Sequence, residues 1–205
     1  ELVMIGAGTV GQFAASAALA LGVSVKVFDN SLFKLRRLQN EIGQKVFTSV
    51  IQPKVLEKAL MRCDVAIGAL SAPQGRTPCI VSENVVKKMK SGSVIIDVSI
   101  DKGGCFETSN LTTHQKPTFS KHDIIHYCVP NIGSRVSRTA SFSLSNIFSP
   151  LLIEISESGG CEKLIQFSKG FRHGVYIYNG TLTSSILGKT FNIPYKNLDL
   201  LISEL

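Results

Sequence analysis

The sequence predicts an α/β fold: a doubly wound parallel sheet, followed by a long helix and a partial second domain. Three observations predict it. First, Glu1-Leu-Val-Met-Ile runs straight into Gly6-Ala-Gly8-Thr-Val-Gly11, and an acidic residue, Asp29, closes the next apolar run. A buried strand, a glycine turn and a helix start in that order open a Rossmann-type unit. Second, short apolar runs alternate with stretches of helical spacing through the first two-thirds of the chain. That alternation implies parallel strands joined by right-handed crossovers. Third, the pattern changes beyond residue 138 to one long helix and a strand-poor tail.

The elements follow in chain order. Residues 2–5 are a strand. Residues 8–21, small and alanine-rich, suit a helix packed closely on a sheet. Residues 24–28 are the second strand. Residues 31–42 start at Ser31 and place Leu32, Leu35, Leu38 and Ile42 at helical spacing. Residues 45–49 form a third strand, and 53–62 a helix with Pro53 in its first turn. Residues 64–69 are a fourth strand. Residues 82–89 are a helix capped by Ser82, with Glu83 just after it. The runs 93–98 and 124–129 are the fifth and sixth strands. Residues 139–158 read as one helix with a kink at Pro150, stopped by Gly159-Gly160. Then come a short helix at 162–167, an extended piece at 175–178 turning at Asn179-Gly180, and a last helix at 185–191. The expected division is a nucleotide-binding domain at 1–138, a connecting helix at 139–160, and a segment of another domain at 161–205. About 45 residues bury too little to stand alone, so this tail is expected to pack on chain not included here. The strand at the very start points the same way, and the chain is read as a fragment.

Composition narrows the class. A hydrophobic fraction of 44% with 18% charged residues is that of an ordinary folded domain. No apolar stretch reaches the roughly 18 residues of a membrane span, and no signal-like segment opens the chain. The net charge of +7 is spread along the sequence without interleaved aromatics, which argues against a nucleic-acid surface. Five cysteines, an odd number without CxxC spacing, argue against a disulfide framework or a zinc site. Reduced thiols in a cytoplasmic protein are expected.

The glycine motif carries the first chemistry. Gly6 permits the tight turn, Gly8 lets the backbone approach a pyrophosphate, and Gly11 lets the helix sit close on the strand. The helix start then offers free N–H groups to the phosphates. Asp29 lies 23 residues after Gly6, the spacing of a carboxylate that accepts both hydroxyls of an adenosine ribose. It would repel a 2′-phosphate, which predicts NAD rather than NADP. Lys34, Arg36 and Arg37 nearby work against that preference. Asp29 could instead cap the helix that follows.

A second candidate site follows the fifth and sixth strands. Ligands of open parallel sheets lie beyond the carboxyl ends of the strands. Asp101, in Asp97-Val-Ser-Ile-Asp101-Lys-Gly-Gly-Cys-Phe-Glu107, therefore stands near the nicotinamide end, where a carboxylate can balance charge or pass a proton. Val129-Pro-Asn131-Ile132 occupies the equivalent place after the sixth strand, and Asn131 could bond the nicotinamide ribose or carboxamide. Both Asp101 and Asn131 could also be plain turn residues. His122 and His126 are four apart, but they sit at a strand entry with no third ligand, so no metal is expected. Ser71, Ser82 and Ser99 lack a partnered histidine.

Taken together, IGAGTVGQFAA, VFDNSLFKLRRLQ, DVAIGAL, GSVIIDVSIDKGGCFETS, PTF, HYCVPNIGSRVSRTASFSLSN and GVYIYNGTLT resemble the C-terminal half to two-thirds of the alanine dehydrogenases, over nearly the whole chain. SIDKGGCFETS with PTF and YCVPN is more specific than the glycine motif. The resemblance implies reversible, NAD-dependent oxidative deamination of L-alanine to pyruvate and ammonia, two Rossmann-like domains around a cleft, and a homohexamer. It implies Gly6, Gly8, Val10 and Gly11 around the pyrophosphate, and Asp29 and Lys34 at the adenosine ribose. It implies Leu70, Val98, Asn131 and Ile132 beside the nicotinamide, and Asp101 as the active-site aspartate. The family's substrate-binding arginine and lysine and its catalytic histidine belong to an N-terminal domain that this sequence lacks. The chain alone is therefore expected to bind NAD without turning over alanine. The related proton-translocating transhydrogenases, which differ around SIDKGGCFE, are the alternative, and a non-catalytic NAD-binding module is a third reading.

Overall fold

In the computed structural model, which describes residues 1–71 and 75–203, β1 (Leu2–Ile5) is buried along its whole length. Its side chains alternate between two cores. Leu2 and Met4 join Val25 and Val27 of β2 (Val25–Phe28) on one face. Val3 and Ile5 join Phe28 on the other. Both faces of the strand are therefore withdrawn from water, as a parallel sheet requires. Helices α1 (Thr9–Ala20) and α2 (Leu32–Ile42) cover the first face through Ala15, Ala18, Leu35 and Leu38. The second face is covered by α3 (Pro53–Leu60) and α4 (Glu83–Val86), through Leu56, Ala59, Leu60 and Val86.

The remaining strands are β3 (Phe47–Ser49), β4 (Val65–Gly68), β5 (Val94–Asp97), β6 (Thr118–Lys121) and β7 (Ile124–Tyr127). Seven strands form one sheet in the order β3-β2-β1-β4-β5-β7-β6. All pairs are parallel except β6 with β7. This is the doubly wound α/β fold. The strand order reverses between β1 and β4, and Ile5 pairs with both Phe28 and Gly68. Crevices open at such reversals.

Two features differ from the sequence reading. Thr118–Lys121 is a strand, antiparallel at the sheet edge, where no element was expected. Its turn has no glycine: His122 and Asp123 themselves hold left-handed φ of 56° and 59°. Such a turn suits a two-residue hairpin. The helix expected at 82–89 keeps only Glu83–Val86, and the side chain of Ser82 does not cap it. The Glu107 carboxylate, 24 residues away, accepts the Glu83 N–H at 2.6 Å instead.

The chain divides into two compact units, Glu1–Ile132 and Gly133–Leu205. In the second, α5 (Ser137–Glu157) runs through Pro150 and buries none of its residues. Gly159 and Gly160, both at positive φ, stop it. Then follow α6 (Cys161–Phe167), α7 (Lys169–Arg172), the hairpin β8 (Ile177–Tyr178) and β9 (Thr181–Leu182), α8 (Ser185–Phe191) and α9 (Leu198–Ser203). Asn179 and Gly180 make the hairpin turn at positive φ. Ile165, Tyr178 and Leu198 form a small core with Phe171, Val175, Leu201 and Ile202. No helix among the described residues is long and apolar enough to cross a membrane.

Candidate functional site

The three glycines after β1 are required for three different reasons. Gly6 sits at φ 113°, and a side chain there would collide with the Ala69 carbonyl. Gly11, buried at the start of α1, faces the Gly6 carbonyl oxygen so closely that a Cβ would collide with it. Gly8 has ordinary φ of −78° and nothing within 4 Å of where its Cβ would stand. The fold therefore uses Gly6 and Gly11 and leaves the space at Gly8 open. No side chain caps α1, and its first turn carries no acidic residue. The amides of an uncapped helix start need acceptors, and an anion is one. Thr9 and Val10 are exposed beside it. This open cradle fits the diphosphate of a dinucleotide.

Asp29 follows β2 and is only 5% exposed. Its Oδ2 accepts the Ala7 N–H at 2.8 Å, and its Oδ1 accepts the Ser31 N–H at 2.8 Å. Ser31 itself caps α2, its hydroxyl accepting the Lys34 N–H at 3.3 Å. Asp29 is therefore a brace between the glycine turn and the start of α2 rather than the cap. A carboxylate has about four acceptor positions, so two remain for sugar hydroxyls. Lys34 is half-buried in the first turn of α2. Arg37 pairs with Glu41 at 3.9 Å along the same helix, and Arg36 is exposed.

The other nominated residues follow β4, β5 and β7 at the same carboxyl edge of the sheet. Four strand spacings, about 19 Å, separate the strand leading to Asp29 from the one leading to Asn131. Leu70 and Val98 are half-buried. Val98 opens a 3₁₀ turn (Val98–Lys102) that carries Asp101, which is exposed. Val129 is buried just after β7, and Ile132 is exposed. Asn131, at φ 52°, donates its N–H to Asp101 Oδ1 at 3.2 Å. The fold thus joins two residues that are 30 positions apart.

Several polar groups here were not nominated by the sequence. Asp97, the last residue of β5, is 1% exposed. Burial pushes its carboxyl above the ordinary range, against the hydrogen bonds it accepts from Ser109, Cys105, Phe106 and Ser99. The Ser99 hydroxyl donates to the Leu70 carbonyl at 3.0 Å, linking the loops after β4 and β5. His126, fully buried, lies 2.8 Å from the Thr108 hydroxyl through Nε2 and 3.0 Å from the Ile124 carbonyl through Nδ1. A carbonyl only accepts, so Nδ1 carries the proton and Nε2 accepts from Thr108. His122 instead meets Glu83 at 2.6 Å. The two histidines therefore have different partners. Among the described residues no group of three or more His, Cys, Asp or Glu side chains could hold a metal. All five cysteines are free. Burial raises Cys63 to about 11, with help from the Glu1 and Asp64 charges. Burial, with the charge of Asp97, also raises Cys105.

Comparisons with known proteins identify relatives over nearly the whole chain. The alanine dehydrogenase of Mycolicibacterium smegmatis is 37% identical over 195 residues, which are 95% of this chain and 52% of that protein. That of Methanococcus maripaludis is 35% identical over 205 residues, all of this chain and 55% of that protein. A solved L-alanine dehydrogenase superposes with a TM-score of 0.85 at 32% identity, over 93% of this chain and 52% of that one. A transhydrogenase from Sinorhizobium meliloti shares the fold, with a TM-score of 0.68 at 18% identity over 90% of this chain and 49% of that one. The chain thus spans about half the length of the relatives it matches. The profile of the family "Alanine dehydrogenase/PNT, C-terminal domain" matches residues 1–185, and the chain belongs to that family.

Proposed function

We propose that this chain is the cofactor-binding part of an NAD-dependent alanine dehydrogenase, which interconverts L-alanine with pyruvate and ammonia. The observation that carries the reading is the arrangement along one sheet edge. The open glycine cradle and Asp29 stand at one end, and the Asp101–Asn131 pair at the other. Gly6, Gly8, Val10 and Gly11 would surround the pyrophosphate, and Asp29 and Lys34 would hold the adenosine ribose. Leu70, Val98, Val129, Asn131 and Ile132 would line the nicotinamide side.

Bound NAD supplies an acceptor for the hydride on the substrate's α carbon. Asp101 is exposed at that end, where its carboxylate can balance charge as the amine turns into an iminium and can pass a proton to or from water. Asn131 holds Asp101 through its main-chain N–H and keeps its own side-chain amide free of that bond. The main base and the carboxylate clamp belong to the other half of the protein, so this chain alone binds NADH and does not turn over alanine. A homohexamer in the cytoplasm completes the reading, and the five free thiols suit a reducing compartment.

The family also contains transhydrogenases, and the shared fold favours them as the second reading. Calorimetry of the chain with NADH and NADPH, paired with alanine-dependent NADH formation by the full-length protein, tests both. Heat with NADH, markedly weaker binding of NADPH, and turnover of alanine are expected. Absence of heat with NADH overturns the reading. Hydride exchange between two nicotinamide cofactors, without alanine turnover, replaces it by the second.

A further inference from the structure

The loop that presents Asp101 is folded around a single buried carboxylate. Asp97 Oδ1 accepts the Ser99 N–H at 3.0 Å. Asp97 Oδ2 accepts the Cys105 N–H at 2.9 Å, the Phe106 N–H at 3.4 Å and the Ser109 hydroxyl at 2.7 Å. Asp101 lies between Ser99 and Cys105, so its turn is hitched at both ends to the same side chain. The chain can return because Gly103 and Gly104 hold positive φ of 103° and 76°. Gly104 is also required by the carboxylate itself, since a Cβ there would stand 2.7 Å from Asp97 Oδ2. A Cβ on Gly68 would collide first with Cys105 Sγ and the Phe106 ring, which the same loop packs there. Two further bonds brace the closed turn internally: Gly104 N–H to the Ser99 carbonyl and Gly103 N–H to the Ile100 carbonyl, each 3.0 Å.

None of these donors is a cation, and no ion pair to Asp97 occurs among the described residues. A buried carboxylate without a countercharge is costly and is tolerated when its lone pairs are filled by fixed dipoles. Here those dipoles are the loop's own amides. The loop is also bonded to the segment before α4, its Lys102 and Cys105 carbonyls accepting from the N–H groups of Thr77, Ile80 and Val81, but two of its contacts reach the neighbouring strand-end loops. The Ser99 hydroxyl holds the Leu70 carbonyl at 3.0 Å, and Asp101 Oδ1 accepts the Asn131 N–H at 3.2 Å. Through Ser99 and Asp101, the loop gathered on this side chain at the end of β5 is thus linked to the loops after β4 and β7.

We infer that Asp97 is a positioning residue: its carboxylate folds residues 99–109 about itself and so fixes where Asp101 stands against Asn131 at the nicotinamide side. This rests on the role proposed for Asp101. An amide at position 97 presents an NH₂ group where an oxygen must accept, so at least one loop amide loses its partner.

The test uses Asp97→Asn and Ser109→Ala in the full-length protein, beside Asp101→Asn. NADH affinity and turnover per NADH-binding site are measured together with hydrogen exchange in peptides covering 98–106 and 129–133. Asp97→Asn is expected to keep the NADH Kd within about threefold and to lower kcat by about tenfold or more, with a smaller change in the KM for alanine. Exchange is expected to accelerate in both peptides. Ser109→Ala, which removes the one hydroxyl donor to Asp97, is expected to shift the same quantities in the same direction by less. If Asp97→Asn does not fold, Ser109→Ala decides by these criteria. The inference is overturned if turnover per site stays within about twofold of wild type, if exchange at 129–133 is unchanged, or if NADH affinity falls in parallel with turnover. Full turnover by Asp101→Asn, or none by the wild type, would instead remove the functional reading, and the exchange data would still decide whether Asp97 sets the Asp101–Asn131 contact.

Discussion

The main-chain N–H of Ala7 donates to Asp29 Oδ2 at 2.8 Å, and this bond ties the glycine turn to the acid that follows β2. The second oxygen of Asp29 holds the Ser31 N–H. Asp29→Ala therefore leaves the buried Ala7 amide and the half-buried Ser31 amide without this acceptor, and the buried one alone costs about 1–3 kcal/mol. Urea unfolding should show that loss even without ligand. Calorimetry should show NADH binding falling together with it. Asp29→Asn should bind NADH weakly and discriminate less against NADPH, because the repelling charge is gone.

Gly8 and Gly11 separate binding from folding. Gly8→Ala adds a methyl group to open space at a backbone angle that alanine accepts. Its melting temperature should match the wild type, while its NADH affinity falls by about tenfold or more because the methyl group occupies the cradle. Gly11→Ala forces a Cβ onto the Gly6 carbonyl, and an overpacked contact of this kind costs about 1–3 kcal/mol. Thermal unfolding and NADH titration of the two variants distinguish the cases.

Asp101→Asn should leave NADH affinity nearly unchanged and cut full-length turnover by about 100-fold or more, the range of a lost acid–base group. Unchanged turnover would remove Asp101 from the chemistry.

Acid should weaken the first unit through His126. Burial pushes this imidazole below its ordinary 6.5; the Lys121 and His122 charges add to the effect, while the Ile124 carbonyl and Asp97 oppose it. The unfolded chain therefore binds the proton more readily than the folded one. The contribution is fully present above pH 6.5 and is lost as the pH falls through the depressed folded value. Urea midpoints measured from pH 8 down to 5 should decline, and His126→Gln should flatten part of that decline.

Thiol labelling should divide the cysteines by burial. Cys79 and Cys161 are exposed, whereas Cys63, Cys105 and Cys128 are buried and raised by that burial. Peptide mapping after brief alkylation near pH 8 should find Cys161 and Cys79 modified and the other three protected. Cys79 should react more slowly than an unhindered thiol, since partial burial and Glu107 raise it.

Legibility in the sequence followed how local the cause was. β1, α1, β2 and α2 announce themselves through apolar runs, alanines and a serine cap a few residues apart. Asp29 and Asp101 could be placed beyond strand ends for the same reason. The hairpin of β6 and β7 was missed because His122 and Asp123 adopt left-handed angles without a glycine to signal them. The cap of α4 was misassigned because its acceptor, Glu107, lies 24 residues away. Asp97 could not be identified as a hub, since its donors reach up to 12 positions along the chain and only the folded loop gathers them. Likewise, nothing in the spacing of Thr108 and His126 reveals their bond.

The antiparallel strand β6 has a last consequence. It forms one rim of the sheet, and β3, only three residues long, forms the other. A rim of unpaired amides is a template for stacking by other chains. β6 reads Thr-Phe-Ser-Lys, with Lys121 held beside Glu83 at 3.3 Å, so the exposed border carries hydroxyls and a charge in place of an apolar ribbon. Replacing Lys121 and Ser120 with valine would convert that border into a sticky one, with aggregation as the visible outcome.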